Sequence, residues 1–148
     1  MSGFSHLDEE GGVRMVDVGG KPSSRRRATA RALLTMAAAT AGRLRELPKG
    51  DALTTAQVAG VMAAKRTSEL IPLCHPLPLT SIDVQVRVVD DGAEVISTVE
   101  TTAQTGVEME ALVAASVAAL TLYDMAKAVD DSMTLSDVRL LEKTKEPA

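Results

Sequence analysis

Residues 82–101, IDVQVRVVDDGAEVISTVET, decide the fold of this chain. Both halves of the stretch alternate between apolar or small residues and polar residues, which is the period of a β-strand that buries one face. The buried face is predicted to carry Ile82, Val84, Val86 and Val88 in the first half and Val95, Ser97, Val99 and Thr101 in the second. Asp91-Gly92 lies between the halves and predicts a turn over residues 90–93. The stretch is therefore predicted to form an antiparallel β-hairpin.

Strand-like and helix-like patterns alternate on both sides of this hairpin. Residues 27–36 have a strand pattern, although their alanines also fit a helix. Residues 54–70 predict a helix before the hairpin, a longer helix begins near Thr105 after it, and residues 134–142 predict a last strand. This order is typical of the α+β class with a ferredoxin-like split β-α-β fold, in which an antiparallel sheet has its helices on one face. The other face needs a cover, so we expect the chain to be oligomeric.

The helix boundaries are predicted from capping residues. Thr54 and Gln57 have the spacing of a capping box. Thr105 and Glu108 repeat this spacing, and a helix of more than twenty residues is predicted from there. The helix over residues 54–70 is predicted to place one stripe of residues together, namely Val58, Val61, Met62 and Lys65. Residues 37–47 also fit a short helix.

Composition limits the size and the partners of the protein. With 148 residues and 45% hydrophobic content, the chain fits a single domain, which we place at residues 13–148 behind a mobile N-terminal arm of residues 1–12. The net charge is −4, and Phe4 and Tyr123 are the only aromatic residues. The chain therefore lacks both the basic charge and the stacking side chains of a nucleic-acid binder, and we expect no nucleic-acid partner.

The single cysteine and the two histidines exclude two kinds of stabilising site. Cys74 has no second cysteine with which to form an intrachain disulfide, and these three residues are too few for a structural zinc site. We therefore expect a cytoplasmic location and no metal. The first ten residues lack an apolar core, and no later apolar run approaches the length of a membrane span, so no membrane partner is expected.

Ordered blocks of polar residues beside rigid turns carry a resemblance to a known family. They are Pro48-Lys49-Gly50-Asp51, AAKRTSELIPLCHPL at residues 63–77, TGVEMEAL at residues 105–112 and LYDMAKAV at residues 122–129. With Met15-Val16-Asp17-Val18, they resemble the signature blocks of the cyclic pyranopterin monophosphate synthases, the protein C family of molybdenum-cofactor biosynthesis. Long ordered blocks are far more specific than a spaced pair of residues. The family pattern has Cys where this chain has Ala126.

The resemblance implies an enzyme, a lyase that converts (8S)-3′,8-cyclo-7,8-dihydroguanosine 5′-triphosphate to cyclic pyranopterin monophosphate and diphosphate by acid–base catalysis. It also implies a ferredoxin-like homohexamer, built as a trimer of dimers, with no metal or organic cofactor and with the active site at a subunit interface. By the same resemblance the catalytic residues are Asp124 and Lys127. The substrate-binding residues that it implies are Lys49, Lys65, Leu73, Cys74, His75, Glu108, Met109 and Glu110.

Helix geometry adds an independent expectation about this site. Glu108 and Asp124 are sixteen residues apart on the predicted helix, which places them on nearly opposite faces and about 24 Å apart along the axis. One straight helix cannot bring both side chains to a small ligand. If both serve one pocket, one of them comes from another chain, so the spacing favours a site shared across a dimer interface.

The charged residues and the histidine of this site also have structural alternatives. Asp124 and Lys127, three apart on a helix, fit a solvated salt bridge. Glu108 fits the partner of a helix N-cap, and Glu110 fits a first-turn acid favoured by the helix dipole. His75 fits a structural loop histidine, and single lysines are usually surface charges. For the whole protein, the alternative function is a non-catalytic nucleotide-binding regulatory module of ferredoxin-like fold.

Overall fold

The computed structural model describes residues 4–148, which form four β-strands and four α-helices. In chain order the elements are β1 (Ser24–Thr35), α1 (Ala38–Ala41), α2 (Ala52–Lys65), α3 (Thr67–Leu70), β2 (Leu79–Val89), β3 (Gly92–Ala103), α4 (Glu108–Ala126) and β4 (Thr134–Pro147). Residues 1–3, which belong to the predicted arm of residues 1–12, lie outside the described part of the chain. The predicted alternation of strands and long helices is confirmed.

The four strands form one antiparallel sheet in the order β2-β3-β1-β4. β1 lies between β3 and β4, so that Ala30 is opposite Ser97 on one side and Leu140 on the other. α2 packs on β2, and α4 packs on β1, β3 and β4 as well as on α2. The α+β class, with an antiparallel sheet and helices on one side of it, is therefore confirmed.

Alanine fills the layer between the sheet and α4. On β1, Ala28, Ala30 and Ala32 are almost completely buried. α4 contributes the fully buried residues Ala111, Ala114, Ala115, Ala118, Ala119 and Leu122. Small side chains let the helix approach the strands closely, and the Ser97 hydroxyl donates a 2.5 Å hydrogen bond to the Ala111 carbonyl across this layer. This bond fixes the first turn of α4, which carries several predicted site residues, over β3.

The N-terminus of α2 is capped by an unexpected residue. The Asp51 carboxylate accepts hydrogen bonds from the backbone amides of Leu53 and Thr54 at 3.0 and 3.2 Å. The predicted capping box of Thr54 and Gln57 is wrong, because an acidic side chain three residues earlier already binds the free amides of the first turn. The Gln57 side chain instead donates to the Val84 carbonyl on β2 at 3.1 Å.

The helix predicted over residues 54–70 is divided in two. α2 ends at Lys65, and α3 begins at Thr67. The Thr67 hydroxyl donates to the carbonyls of Ala63 and Ala64 at 3.1 and 3.0 Å. This buried side chain thus adds a second donor, beside the Arg66 amide, to the carbonyls at the end of α2, which stabilises the break.

The buried face of α2 differs from the predicted stripe. Val58 and Met62 of that stripe are 56% and 46% exposed. A Cβ at Gly60 would lie 3.0 Å from the Val84 side chain and 3.1 Å from the Ala114 carbonyl oxygen of α4, so α2 packs at backbone distance and only small residues fit beneath it. The residues that it buries are Ala52, Leu53, Ala56, Gly60, Ala63 and Ala64.

α4 begins without a side-chain cap. Its N-cap residue is Val107, which makes no side-chain capping bond, so the predicted capping box of Thr105 and Glu108 is wrong. The Glu108 carboxylate lies instead beside Gly106, where a Cβ would be only 2.5 Å away, and it is 3.9 Å from the Lys143 ammonium on β4. Glu108 is thus left available for other contacts. α4 has 19 residues rather than more than twenty.

Among the described residues, α4 also has the length and composition of a membrane span, with a mean hydropathy of 1.4 over 18 residues. The expectation that no apolar run approaches that length is corrected for Glu108–Ala126. Half of this window is buried inside the protein, against the sheet and α2. Burial of an apolar helix on several sides is typical of a core helix.

Two other element boundaries differ from the prediction. β4 extends to Pro147 rather than to residue 142, because it pairs with β1 over the whole length of β1, as far as Ser24. Its exposed charged residues are compatible with a strand at the edge of a sheet. The short helix predicted over residues 37–47 is limited to Ala38–Ala41.

The predicted hairpin is confirmed, but its glycine has a different use, and Val88, predicted on the buried face, is 42% exposed. Asp90 and Asp91 form the connection, and Gly92 is already the first residue of β3. A Cβ at Gly92 would lie 1.9 Å from the Leu34 carbonyl oxygen on β1. Glycine is required here by the close approach of two backbones.

Gly92→Ala is predicted to lower the free energy of unfolding by about 1–3 kcal/mol, because the backbone of β1 must move to admit the methyl group. Urea unfolding followed by circular dichroism measures this loss. Gly20→Ala is the matched control, since a Cβ there meets no heavy atom within 4 Å. Equal unfolding midpoints for the two variants would contradict the packing argument.

Candidate active site

A polar cavity lies at the N-terminal end of α4. It has a volume of about 270 Å³, and its wall comes from the segment before β1, the connector between α3 and β2, and the first turn of α4. Six of the predicted site residues line it, namely Leu73, Cys74, His75, Glu108, Met109 and Glu110. The structure thus brings together one large part of the predicted site.

The connector between α3 and β2 positions Cys74 and His75. Pro72, Pro76 and Pro78 fix their own backbone angles and restrict the residues before them, which leaves the connector few conformations. The Cys74 amide donates to the Ile71 carbonyl at 3.1 Å, which closes a turn at the start of the connector. The two side chains are therefore presented by a stiff piece of chain.

The His75 imidazole is oriented by one short hydrogen bond. Its Nε2 lies 2.6 Å from the Val16 carbonyl oxygen. Because a carbonyl oxygen only accepts, Nε2 carries the proton, and Nδ1 of the neutral ring is left as an acceptor. The same bond attaches the segment before β1 to the connector.

Glu110 is buried in the cavity wall, and Cys74 beside it is half-buried. Glu110 is only 4% exposed. Burial raises the pKa of its carboxyl; the hydrogen bond from its own backbone amide partly opposes this, and the nearby Glu108 carboxylate adds to the rise. Burial also raises the pKa of the Cys74 thiol, with a smaller contribution from Glu110. Both groups therefore hold their protons more tightly than the same groups in solution, and the Cys74 thiol is less readily converted to the nucleophilic thiolate.

A second group of predicted residues lies at the C-terminal end of α4, and we call it the lysine-aspartate cluster. The two carboxylate oxygens of Asp124 each accept a bond, from the ammonium groups of Lys49 and Lys127, at 3.0 Å in both cases. Lys49 also donates to the Asp124 backbone carbonyl at 3.3 Å. The hydrogen bond from Lys127, then that from Lys49, and the two positive charges hold the pKa of Asp124 below its ordinary value. All three side chains are about half exposed, so a ligand can reach them.

Local backbone structure explains how Lys49 reaches α4. Leu47 and Gly50 exchange two backbone hydrogen bonds, at 3.1 and 2.8 Å, around the turn that presents Lys49. Gly50 has φ 113°, a left-handed conformation that other residues rarely adopt. Asp124 and Lys127 are neighbours on the same face of α4, as their spacing predicted.

The cavity and the lysine-aspartate cluster are separated within one chain. Glu108 is the first residue of α4 and Asp124 belongs to its last turn, which corresponds to about 24 Å along the axis. Lys65 is at a third position, exposed at the end of α2, and does not belong to the wall of the cavity. The ten predicted residues therefore do not form one pocket in a single chain.

Sequence reasoning missed the part of the cavity wall that comes before β1. His6, Val16, Val18 and Lys21 line the cavity beside the predicted residues. The sequence signal for this part of the wall was Met15-Val16-Asp17-Val18, which is one of the blocks that carry the family resemblance. Nothing in local periodicity indicates that a segment without helix or strand folds back over a distant connector.

A second, basic cavity adjoins the first one at Glu108. It has a volume of about 260 Å³, and its charged wall includes Arg26, Lys143 and Lys145. These cations meet because β1 and β4 pair with Arg26 opposite Lys145. In the sequence, Arg26 belongs to a run of three arginines that is typical of a solvated surface. This group of cations can be recognised only when it is known that β4 pairs with β1.

The fold and these groups define a class of protein. An α+β domain with carboxyl, imidazole and thiol groups in one cavity, and with cations beside it, is suited to proton transfer on a small anionic molecule. Within residues 4–148, no three His, Cys, Asp or Glu side chains are grouped to hold a metal ion. The sequence profile of the MoaC family matches residues 15–146, and the chain belongs to this family.

Curated relatives cover nearly the whole chain. The chain is 54% identical, over 148 residues, to a protein of Heliobacterium modesticaldum named cyclic pyranopterin monophosphate synthase, with 97% of this chain and 93% of that protein covered. It is 56% identical, over 147 residues, to the protein of the same name from Oleidesulfovibrio alaskensis, with coverage of 97% and 92%. A molybdenum cofactor biosynthesis bifunctional protein of Chlorobaculum tepidum is 55% identical over 143 residues, which are 95% of this chain and 46% of that protein.

Glu110→Gln is predicted to raise the melting temperature by a few degrees at pH 8 and to leave it nearly unchanged at pH 4. The folded-state pKa of Glu110 is raised, so the folded protein holds a proton that the unfolded chain releases above its ordinary pKa of about 4.3. Wild-type stability therefore falls as pH rises through the folded-state pKa, and the uncharged amide avoids this loss.

Differential scanning fluorimetry at both pH values measures the effect of Glu110→Gln. Glu142→Gln on the exposed edge of the sheet is the control and should change the pH dependence little. The explanation is wrong if Glu110→Gln lowers the melting temperature more at pH 8 than at pH 4.

Proposed function

We propose that this protein is a cyclic pyranopterin monophosphate synthase, a lyase of molybdenum-cofactor biosynthesis. Its substrate is (8S)-3′,8-cyclo-7,8-dihydroguanosine 5′-triphosphate, and its products are cyclic pyranopterin monophosphate and diphosphate. The observation that carries this proposal is the identity of 54% and 56% to relatives of that name along nearly the whole chain. The conversion requires ring opening, ring closure and loss of diphosphate, which are proton movements and a phosphoryl transfer.

Asp124 and Lys127 are the catalytic pair of this proposal. The carboxylate of Asp124 is kept ionised by Lys127 and Lys49, so it orients both ammonium groups toward a shared ligand. The Lys127 ammonium then donates a proton to the ligand. For proton transfer in the opposite direction, the deprotonated amine of Lys127 is the acceptor. Because the cluster is open to solvent, the substrate itself must exclude water from it when it binds.

The cavity at the start of α4 holds the purine-derived part of the substrate. Glu110, whose carboxyl holds its proton more tightly than usual because burial raises its pKa, donates to a ring nitrogen or carbonyl of the ligand, and His75 accepts at Nδ1. The Glu108 carboxylate takes no part in a helix cap, so it accepts hydrogen bonds from the ligand. Leu73, Met109 and Cys74 supply apolar or weakly polar contact.

The phosphates are held by cations outside this cavity. A triphosphate needs several charge-assisted hydrogen bonds to offset its charge. Lys49 and Lys65 are the expected partners, and Arg26 and Lys143 of the basic cavity supply further positive charge close to Glu108. Because the protein as a whole has a net charge of −4, these local groups provide the attraction.

The active site is shared between two copies of the chain. The lysine-aspartate cluster and the cavity lie at opposite ends of α4, about 24 Å apart, so one ligand meets both only if a second copy supplies one of them. Element order and strand order fit a ferredoxin-like fold, in which one face of the sheet is left without helices. We propose a homohexamer, a trimer of dimers, with residues 13–148 as the catalytic domain, residues 1–12 as an arm that adds His6 to the wall of its cavity, and a cytoplasmic location.

Purified wild-type protein is predicted to release diphosphate and the cyclic phosphate product from the cyclised triphosphate. Lys127→Ala should lower kcat by about 100-fold or more without change in circular dichroism, because the exposed side chain contributes to chemistry and little to packing. Arg43→Ala, an exposed cation outside the cavities described above, is the control for loss of a surface charge. Nucleotide binding without any diphosphate release by the wild type would overturn the proposal and favour a non-catalytic regulatory module.

Mixing two inactive variants, Glu108→Ala and Lys127→Ala, is predicted to restore about a quarter of wild-type activity after subunit exchange. In a random mixture half of the dimers are mixed, and each mixed dimer has one intact site out of two. Diphosphate release before and after mixing measures the recovery. A mixture that exchanges subunits by native mass spectrometry and stays inactive would show that both residues act within one chain.

A further inference from the structure

We propose that His6 is a further catalytic residue of the cavity, a proton acceptor that contacts the bound nucleotide through Nε2. The inference deepens the proposed function, on which it rests for the identity of the substrate. It starts from an unusual distribution: the chain has two histidines, His6 and His75, and both line the same cavity.

The His6 ring has a defined tautomer, and its second nitrogen has no hydrogen-bond partner among residues 4–148. Its Nδ1 lies 2.9 Å from the Arg14 carbonyl oxygen, and because a carbonyl only accepts, Nδ1 carries the proton. Nε2 of the neutral ring is therefore an acceptor. His75 has the opposite tautomer, since its Nε2 donates to Val16. Each ring is thus held through one nitrogen by a carbonyl of the segment before β1, and the other nitrogen is left for a ligand.

The loop around His6 is built to hold the ring in place. The Arg14 amide donates to the His6 carbonyl at 2.7 Å, so residues 6 and 14 are joined by two hydrogen bonds. Leu7 and Val13 form a β-bridge inside this pair. At the tip, the Asp8 carboxylate accepts from the Gly12 amide at 2.7 Å. A closed loop therefore orients the imidazole in the cavity wall.

The chemistry of the reaction gives such a group a role. Opening one ring and closing another require several proton transfers, and the other titratable groups on this wall are Lys21, Cys74, His75, Glu108 and Glu110. Burial raises the pKa of Glu110 and of Cys74, so each is less often in the deprotonated form that accepts a proton than the same group in solution. Neutral His6 takes a proton at Nε2 from a hydroxyl or N–H of the nucleotide as that atom forms its new bond. The imidazolium then returns the proton to the oxygen or nitrogen that leaves, so no net proton is consumed.

Two variants of His6 separate catalysis from support of the loop. The Asn amide nitrogen takes the place of Nδ1, so His6→Asn keeps the donor to Arg14 and removes Nε2. His6→Asn should keep the wild-type melting temperature, keep KM for the cyclised triphosphate within about 3-fold, and lower kcat about 100-fold. Glu9→Gln, an exposed change in the same loop, should retain wild-type kcat. Wild-type kcat in His6→Asn would overturn the proposal and leave His6 with a supporting role.

A binding measurement tests the contact independently of turnover. With two histidines, the imidazole Cε1–H region of the NMR spectrum holds two signals, and the one missing from His6→Asn belongs to His6. Saturating GTP, used as a stable triphosphate probe, should shift the His6 signal of the wild type. An unchanged His6 signal would overturn the inference. If the wild type releases no diphosphate, the proposed function fails, and the NMR result still decides whether His6 contacts the nucleotide.

Discussion

The close contact between α4 and the sheet is the constraint on which the rest of the structure depends. Alanines face each other across this layer, and the Ser97 hydroxyl bonds the Ala111 carbonyl directly. Gly60 brings α2 against the other side of α4 at backbone distance. A helix held on two sides by such short contacts has little freedom to tilt or slide. Its two ends are therefore fixed points to which the functional groups are attached.

The electrostatics of α4 differ at those two ends. At the N-terminus the helix dipole favours a charged Glu110, but burial opposes the charge and outweighs it, so the pKa rises. At the C-terminus the dipole disfavours the Asp124 carboxylate, yet the carboxylate is exposed and bonded by Lys49 and Lys127, so its pKa falls. One helix thus holds two carboxyls whose pKa values are shifted in opposite directions. A difference of this kind suits acid–base chemistry on one ligand.

The elements that were predicted correctly are those whose buried face is marked by large side chains. The β2–β3 hairpin was found because branched residues alternate with polar ones at a period of two, and only one register buries them. The predicted buried face of α2 was wrong because the pattern of large residues such as Val58 and Met62 was taken as the buried side. The close contact with α4 instead requires Gly60 and the small residues near it. The capping box predicted for α2 failed because a spacing does not reveal a competing acid such as Asp51, and the one predicted for α4 failed because that helix begins without a side-chain cap. The separation of Glu108 and Asp124 could be predicted because it follows from helix geometry alone. The proximity of Arg26 and Lys143 could not, because it depends on which strands pair, and local periodicity does not encode that.

The segment before β1 shows which residues determine the path of an irregular stretch of chain. It is attached to the body of the protein by two side chains outside it, His75 to the Val16 carbonyl and Gln104 to the Gly19 carbonyl. A backbone carbonyl is offered by every residue type, so the segment needs no particular side chains at the points of attachment. Its sequence therefore looks irregular, although its path along the cavity is defined. The residues that determine this wall of the site lie in the connector before β2 and the turn before α4.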